Sequence, residues 1–134
     1  LLRAAAADFT LAWRHLADAA EGREAVLRSL VPDTGALDAW LARWRGRCEA
    51  DMASGGPGPA ERARRMRRAS PWIIPRNHRV EEALTAASVE GDLAPFERML
   101  AAVRRPFDDA PGLAAWAEPA PAEVTACYRT FCGT

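Results

Sequence analysis

The chain has 134 residues, 49% of them hydrophobic and 27% charged, with a formal net charge of zero. That balance fits one globular core and excludes a disordered tail or a generally basic nucleic-acid binder. All 18 cationic side chains are arginines, so the phosphate-binding lysine of kinase and P-loop sites is missing, as are GxxxxGKS and GxGxxG runs.

The three cysteines, Cys48, Cys127 and Cys132, are too few for a secreted disulfide framework. No apolar run approaches the roughly 18 residues of a membrane span, and the start lacks a signal-peptide pattern. The expected compartment is the cytoplasm of a bacterial-type cell. The chain opens on Leu1, as a segment of a larger protein would.

In chain order, Phe9, Ala12, Trp13, Leu16 and Ala20 recur at helical spacing and predict a first helix over 2–20, stopped near Gly22. A second, over 23–30, carries Val26, Leu27 and Leu30 and ends at Pro32. The clearest periodicity is Leu37, Trp40, Leu41, Trp44 and Cys48, with Asp33 or Thr34 as the N-cap. Two tryptophans on one face read as core before they read as a ligand-stacking pair. Cys48, on the same stripe, reads as a small buried hydrophobe.

The SGGPGP stretch at 54–59 is an internal loop. After it, Arg62, Arg64, Arg65, Arg67 and Arg68 crowd a short helix over 60–69. They read as a solvated, ion-paired face, with a phosphate-contacting surface as the alternative. The segment 72–75 is apolar and extended, since Pro75 pushes Ile74 out of helical dihedrals. Asn77 is the expected N-cap of a helix bearing Val80, Ala83, Leu84 and Ala87, closed by Gly91. Phe96, Met99, Leu100 and Val103 mark a further helix, ended by Arg104, Arg105 and Pro106. From 107 to 134, Pro111, Pro119 and Pro121 with Trp116 and Tyr128 predict an irregular tail laid over the helices. The expected fold is therefore all-α: one compact helical domain over 1–134, with about five or six helices and this proline-containing tail.

Arg76, Asn77, His78 and Arg79 form the densest polar constellation. A general-base role for His78 lacks a Ser or Cys partner at diagnostic spacing, so these residues read as structural: Asn77 capping, Arg76 and Arg79 binding carbonyls or carboxylates nearby. Two histidines and scattered cysteines assemble no zinc spacing. The residues thus assign no catalytic, cofactor-binding or metal-ligating position.

A resemblance adds to this. SPWIIPRNHRVEEAL, then Gly91-Asp92, Arg105-Pro106-Phe107 and a terminal FCGT resemble the C-terminal region of the selenoprotein O family, protein adenylyltransferases with a kinase-like fold. Pro71 and Arg76-Asn77 match its N-P-x-x-x-x-R-N type motif, with Ser70 in place of the common Asn, and DFTLAWRHL matches the start of the region. The ending TFCGT replaces a more familiar serine-rich one.

The resemblance implies a non-catalytic helical segment packed on an upstream kinase-like core. The parent would move AMP from ATP, with a divalent metal such as Mg, to Ser, Thr or Tyr hydroxyls of protein substrates. Cys132, third from the end, would be the redox residue, with Cys127 or a cysteine elsewhere as its partner. A free-standing helical interaction module and an arginine-patch nucleic-acid binder are the alternatives.

Overall fold

A computed structural model describes residues 1–3 and 5–127. Every regular element among them is helical, as the all-α expectation requires. The chain forms two compact units, Leu1–Trp72 and Ile73–Thr134.

In the first unit, α1 spans Phe9–Ala20. It starts later than apolar spacing predicts because Asp8, in an extended conformation, accepts a hydrogen bond from the Leu11 N–H at 2.8 Å. A side-chain acceptor for a first-turn amide fixes a helix start more firmly than alanine propensity fixes a continuation. Gly22 stops the helix in the left-handed region, at φ +82°, where glycine escapes the Cβ penalty.

Helix α2 is Ala25–Leu30, and α3 runs for 20 residues over Thr34–Ala53, with Asp33 accepting from the Ala36 N–H. The loop, 54–58 rather than the expected 54–59, turns the chain into α4, Pro59–Ala69, because Pro59 fits the first helical position. A Cβ at Gly56 would stand 2.6 Å from the Asp51 carboxyl carbon, so the turn requires glycine there. The core joins Ala12, Leu16, Ala19, Leu27, Val31, Leu37 and Leu41, with Trp40, Trp44 and Met66 packed against it. Helix α1 packs along α4, and Ala17 and Ala63 are fully buried.

In the second unit, Ile73 is buried and its N–H donates to the Pro106 carbonyl at 3.1 Å. This ties the start of the unit to the end of α6, Ala94–Val103. Helix α5, Asn77–Thr85, packs along α6 and widens into a π turn at Ala86–Glu90. Gly91, at φ +68°, closes that turn, and the Asp92 carboxylate accepts from the Ala94 N–H ahead of α6. Ala83, Met99, Ala102 and Ala117 complete the small core with Ile73. The proline-punctuated tail carries a 3-10 turn, Pro111–Leu113, and two short helices, α7 (Ala114–Ala117) and α8 (Ala122–Cys127). Tyr128 lies outside the described residues.

Candidate functional site

The arginine-rich helix α4 is held by carboxylates. Arg62 meets Asp51 at 2.6 Å and donates to the Cys48 carbonyl at 3.0 Å. Arg64 and Arg65 both pair with Glu61. Arg67 reaches across to α1, meeting Asp18 at 2.5 Å and Glu21 at 2.6 Å. Burial alone would raise the Asp18 carboxyl, but hydrogen bonds from Arg67 and His15, the Arg67 charge and a bond from Arg23 outweigh it and hold the group below its ordinary 3.8. Hydrogen bonds from Arg67 and then Arg23 lower Glu21 as well. Four of the five arginines singled out in this run are thus engaged with carboxylates, which favours the ion-paired reading over a phosphate-contacting one.

Arg14 escapes sequence reasoning altogether. It is 4% exposed, and its Nη1 donates to the Arg67 carbonyl at 2.8 Å and the Ser70 carbonyl at 3.3 Å. A cation thereby satisfies carbonyls at the C-terminal end of α4, the negative end of its dipole. No local signal marks this role, because the partners lie more than fifty positions away.

On α3, Trp40 and Trp44 stack with ring centroids 6.1 Å apart and 11° between planes. They are half-buried against the core, as the core reading of their spacing expects. Cys48 is half-buried rather than buried, since it lies one turn beyond Trp44, the last residue of the α3 stripe packed against the core. Phe9 and Trp13 depart from the periodic reading of α1, at 66% and 39% exposed. Their rings meet edge to face, with centroids 5.9 Å apart.

In the second unit the structure brings Arg76, Asn77, His78 and Arg79 onto the first turn of α5. Arg76, not Asn77, holds the N-cap position, and Asn77 is exposed at the first helical position. The fixed point of this turn is the guanidinium of Arg76, whose Nη2 donates to the Ala117 carbonyl at 2.9 Å and so pins α7. Arg79 pairs with Glu82 one turn along. His78 lines a shallow groove with Glu81, Glu82, Glu90 and Val124. Its pKa is lowered from 6.5 by partial burial first and by the charge of Arg79 next.

Among the described residues no group of three or more His, Cys, Asp or Glu is placed to hold a metal ion, and no helix is long and apolar enough to cross a membrane. Cys127 ends α8, and Cys132 lies outside the described residues.

No family model matches the chain. Curated relatives match it along its whole length. A protein of Chromobacterium violaceum named protein nucleotidyltransferase YdiU is 48% identical over 134 residues, 100% of this chain and 27% of that protein. One of the same name from Bradyrhizobium sp. (strain BTAi1) is 47% identical over 99% of this chain and 26% of its own. Another, from Mycobacterium sp. (strain KMS), is 50% identical over 95% and 24%. The chain spans about a quarter of the length of these relatives and matches their C-terminal part.

Proposed function

Because the chain belongs to the selenoprotein O family, as the homologue of its C-terminal part, we propose that it is the non-catalytic helical segment of a protein adenylyltransferase. The parent would transfer AMP from ATP to Ser, Thr or Tyr hydroxyls of protein substrates in the cytoplasm. One observation carries this reading: identity of nearly one half runs the full length of the chain, yet covers only a quarter of proteins named as nucleotidyltransferases.

The residues at hand do not fit ATP and a divalent metal. The chain has no lysine, four of the five α4 arginines are engaged by carboxylates, and no three or more described His, Cys, Asp or Glu side chains are placed to hold a metal ion. No step of the transfer is therefore placed on this segment. The nucleotide and metal belong to the kinase-like core of the parent, which is the segment's first partner. Cys132 is the candidate redox residue, pairing with Cys127 or with a cysteine outside the segment. Mass spectrometry after mild oxidation tests that pairing, and a Cys132 thiol that stays free would remove it.

The deciding experiment replaces the matching part of the Chromobacterium violaceum relative with this chain and follows transfer of label from α-labelled ATP with Mg to protein. Label appears with the chimera, and calorimetry finds no ATP binding by the 134-residue chain alone. Tight, metal-dependent ATP binding by that chain would overturn the non-catalytic assignment, and a chimera that releases or transfers no AMP would overturn the activity.

A further inference from the structure

Helix α1 presents an aromatic ledge that the described residues of its own unit leave exposed. Phe9, 66% exposed, and Trp13, 39% exposed, stand one turn apart in edge-to-face contact. Trp13 also forms one wall of an adjoining groove of about 220 Å³. Leu1, Leu2, Leu16, Leu37 and Trp40 contribute to the other walls, and the described lining residues are all of apolar type. Ledge and groove are thus one continuous surface that shares Trp13.

The chemistry of this face restricts its occupant. The acidic and arginine side chains on α1 and at its C-cap are engaged elsewhere: Arg14 with carbonyls at the end of α4, and Asp18 and Glu21 with Arg67 and Arg23. The described side chains that line the groove carry no charge and offer hydrogen bonds only through the indole N–H groups of Trp13 and Trp40, so the groove selects chiefly apolar side chains. Exposed aromatics grouped beside an apolar groove have the composition of an interface centre rather than of scattered surface hydrophobes.

The occupant follows from what lies outside the chain. The relatives match it by their C-terminal part, and it makes up 27% of the Chromobacterium violaceum protein, so in a parent of that kind most of the polypeptide precedes Leu1. Leu1 and Leu2 themselves form part of the groove wall, so the preceding polypeptide arrives at its rim. We propose that the Phe9–Trp13 ledge and the adjoining groove dock the part of the parent that precedes this chain, through apolar side chains of that part. The proposal rests on the reading that the chain is a segment of such a parent, and it adds which surface joins the two.

Site-specific photo-cross-linking in the full-length chimera described above tests it. Phe9→p-benzoylphenylalanine keeps an aromatic ring at an exposed position, so the fold is preserved. Trp13→p-benzoylphenylalanine is the second position, and Arg47→p-benzoylphenylalanine on the exposed side of α3 is the control. Irradiation at positions 9 and 13 is expected to join these residues to peptides preceding Leu1, with a yield unchanged on dilution and above that at position 47. Cross-links that fall only within residues 1–134, cross-links to a second copy that fade on dilution, or no cross-link at either position would each overturn the docking. AMP transfer by the same preparation reads the activity separately. A cross-linked but inactive chimera sinks the activity and keeps the interface, whereas an active chimera without these cross-links sinks the interface alone.

Discussion

Replacing Arg14 with methionine isolates the link between α1 and α4. Methionine retains much of the aliphatic stem that is buried with Arg14 and removes the guanidinium, so the Arg67 carbonyl loses a donor at 2.8 Å and the Ser70 carbonyl a weaker one at 3.3 Å. A hydrogen bond from a charged donor contributes about 1.5–3 kcal/mol net, and a cation at a helix C-terminus about 0.3–1 kcal/mol more. Relief of burying a cation offsets part of this, which leaves an expected loss of about 2–3 kcal/mol. With a slope of about 2 kcal/mol per molar, the urea midpoint falls by roughly 1–1.5 M. Tryptophan fluorescence follows it well, because Trp13, Trp40, Trp44 and Trp72 lie in the first unit and only Trp116 in the second. An unchanged slope is needed to attribute the shift to stability. A midpoint that stays in place, or rises, would refute the claim that Arg14 fastens these helices, because the carbonyls would then be satisfied without it.

The core assignment is tested by contrast: Leu41→Ala, at a fully buried position, costs about 2–5 kcal/mol in chemical unfolding, whereas Leu84→Ala, at 53% exposed, changes stability by about 0.5 kcal/mol or less. His78 titrates below 6.5 by NMR, and Arg79→Gln moves its midpoint upward without restoring 6.5, since burial is the larger cause. The unfolded chain binds that proton more readily, so stability falls as pH drops from about 6.5 through the folded value, and His78→Gln flattens that part of the profile. Asp18 and Glu21 have the opposite linkage: their lowered values give stability that is present above the unfolded carboxylate range and lost as pH falls through the folded values. Arg67→Met therefore moves the acid-unfolding midpoint, followed by circular dichroism, to higher pH, and a midpoint that does not move would show the cluster is not coupled to folding.

The elements legible in the sequence are those whose determinants are local. Helix α3 declares itself through a period sustained from Leu37 to Trp44 and an aspartate at its start. Gly22 and Gly91 mark helix ends because the left-handed turn there suits glycine alone among these residues. The start of α1 was harder to read, because the apolar spacing continues upstream of Asp8 and hides a stronger local signal, the cap. Asn77 presents a parallel case: a residue type favoured at N-caps sits one place inside the helix, and the turn is instead fixed by a long-range bond from Arg76 to Ala117. Periodicity also says that a face is apolar without saying what covers it. Phe9 and Trp13 share their spacing with Ala12 and Leu16, yet the last two are buried and the first two exposed.

That division bears on where the segment's function resides. Its arginines are used within the fold: Arg14 fastens the end of α4, Arg67 binds α4 to α1, Arg62 binds it to α3, and Arg76 holds α7. A guanidinium suits this work because its planar fork of donors can serve a carbonyl and a carboxylate together, as Arg62 does with Cys48 and Asp51. Charge engaged in this way is less free to recruit phosphates, which weighs against a phosphate-contacting role for Arg62 and Arg67 on the α4 face. Among the described residues of the first unit, the aromatic ledge of α1 is an exposed apolar surface, and an apolar surface does its work by being covered. A segment built so gains its role from the polypeptide it meets, which is why cross-linking at Phe9 is a sharper probe of that role than any search for a reactive group on α4 or α5.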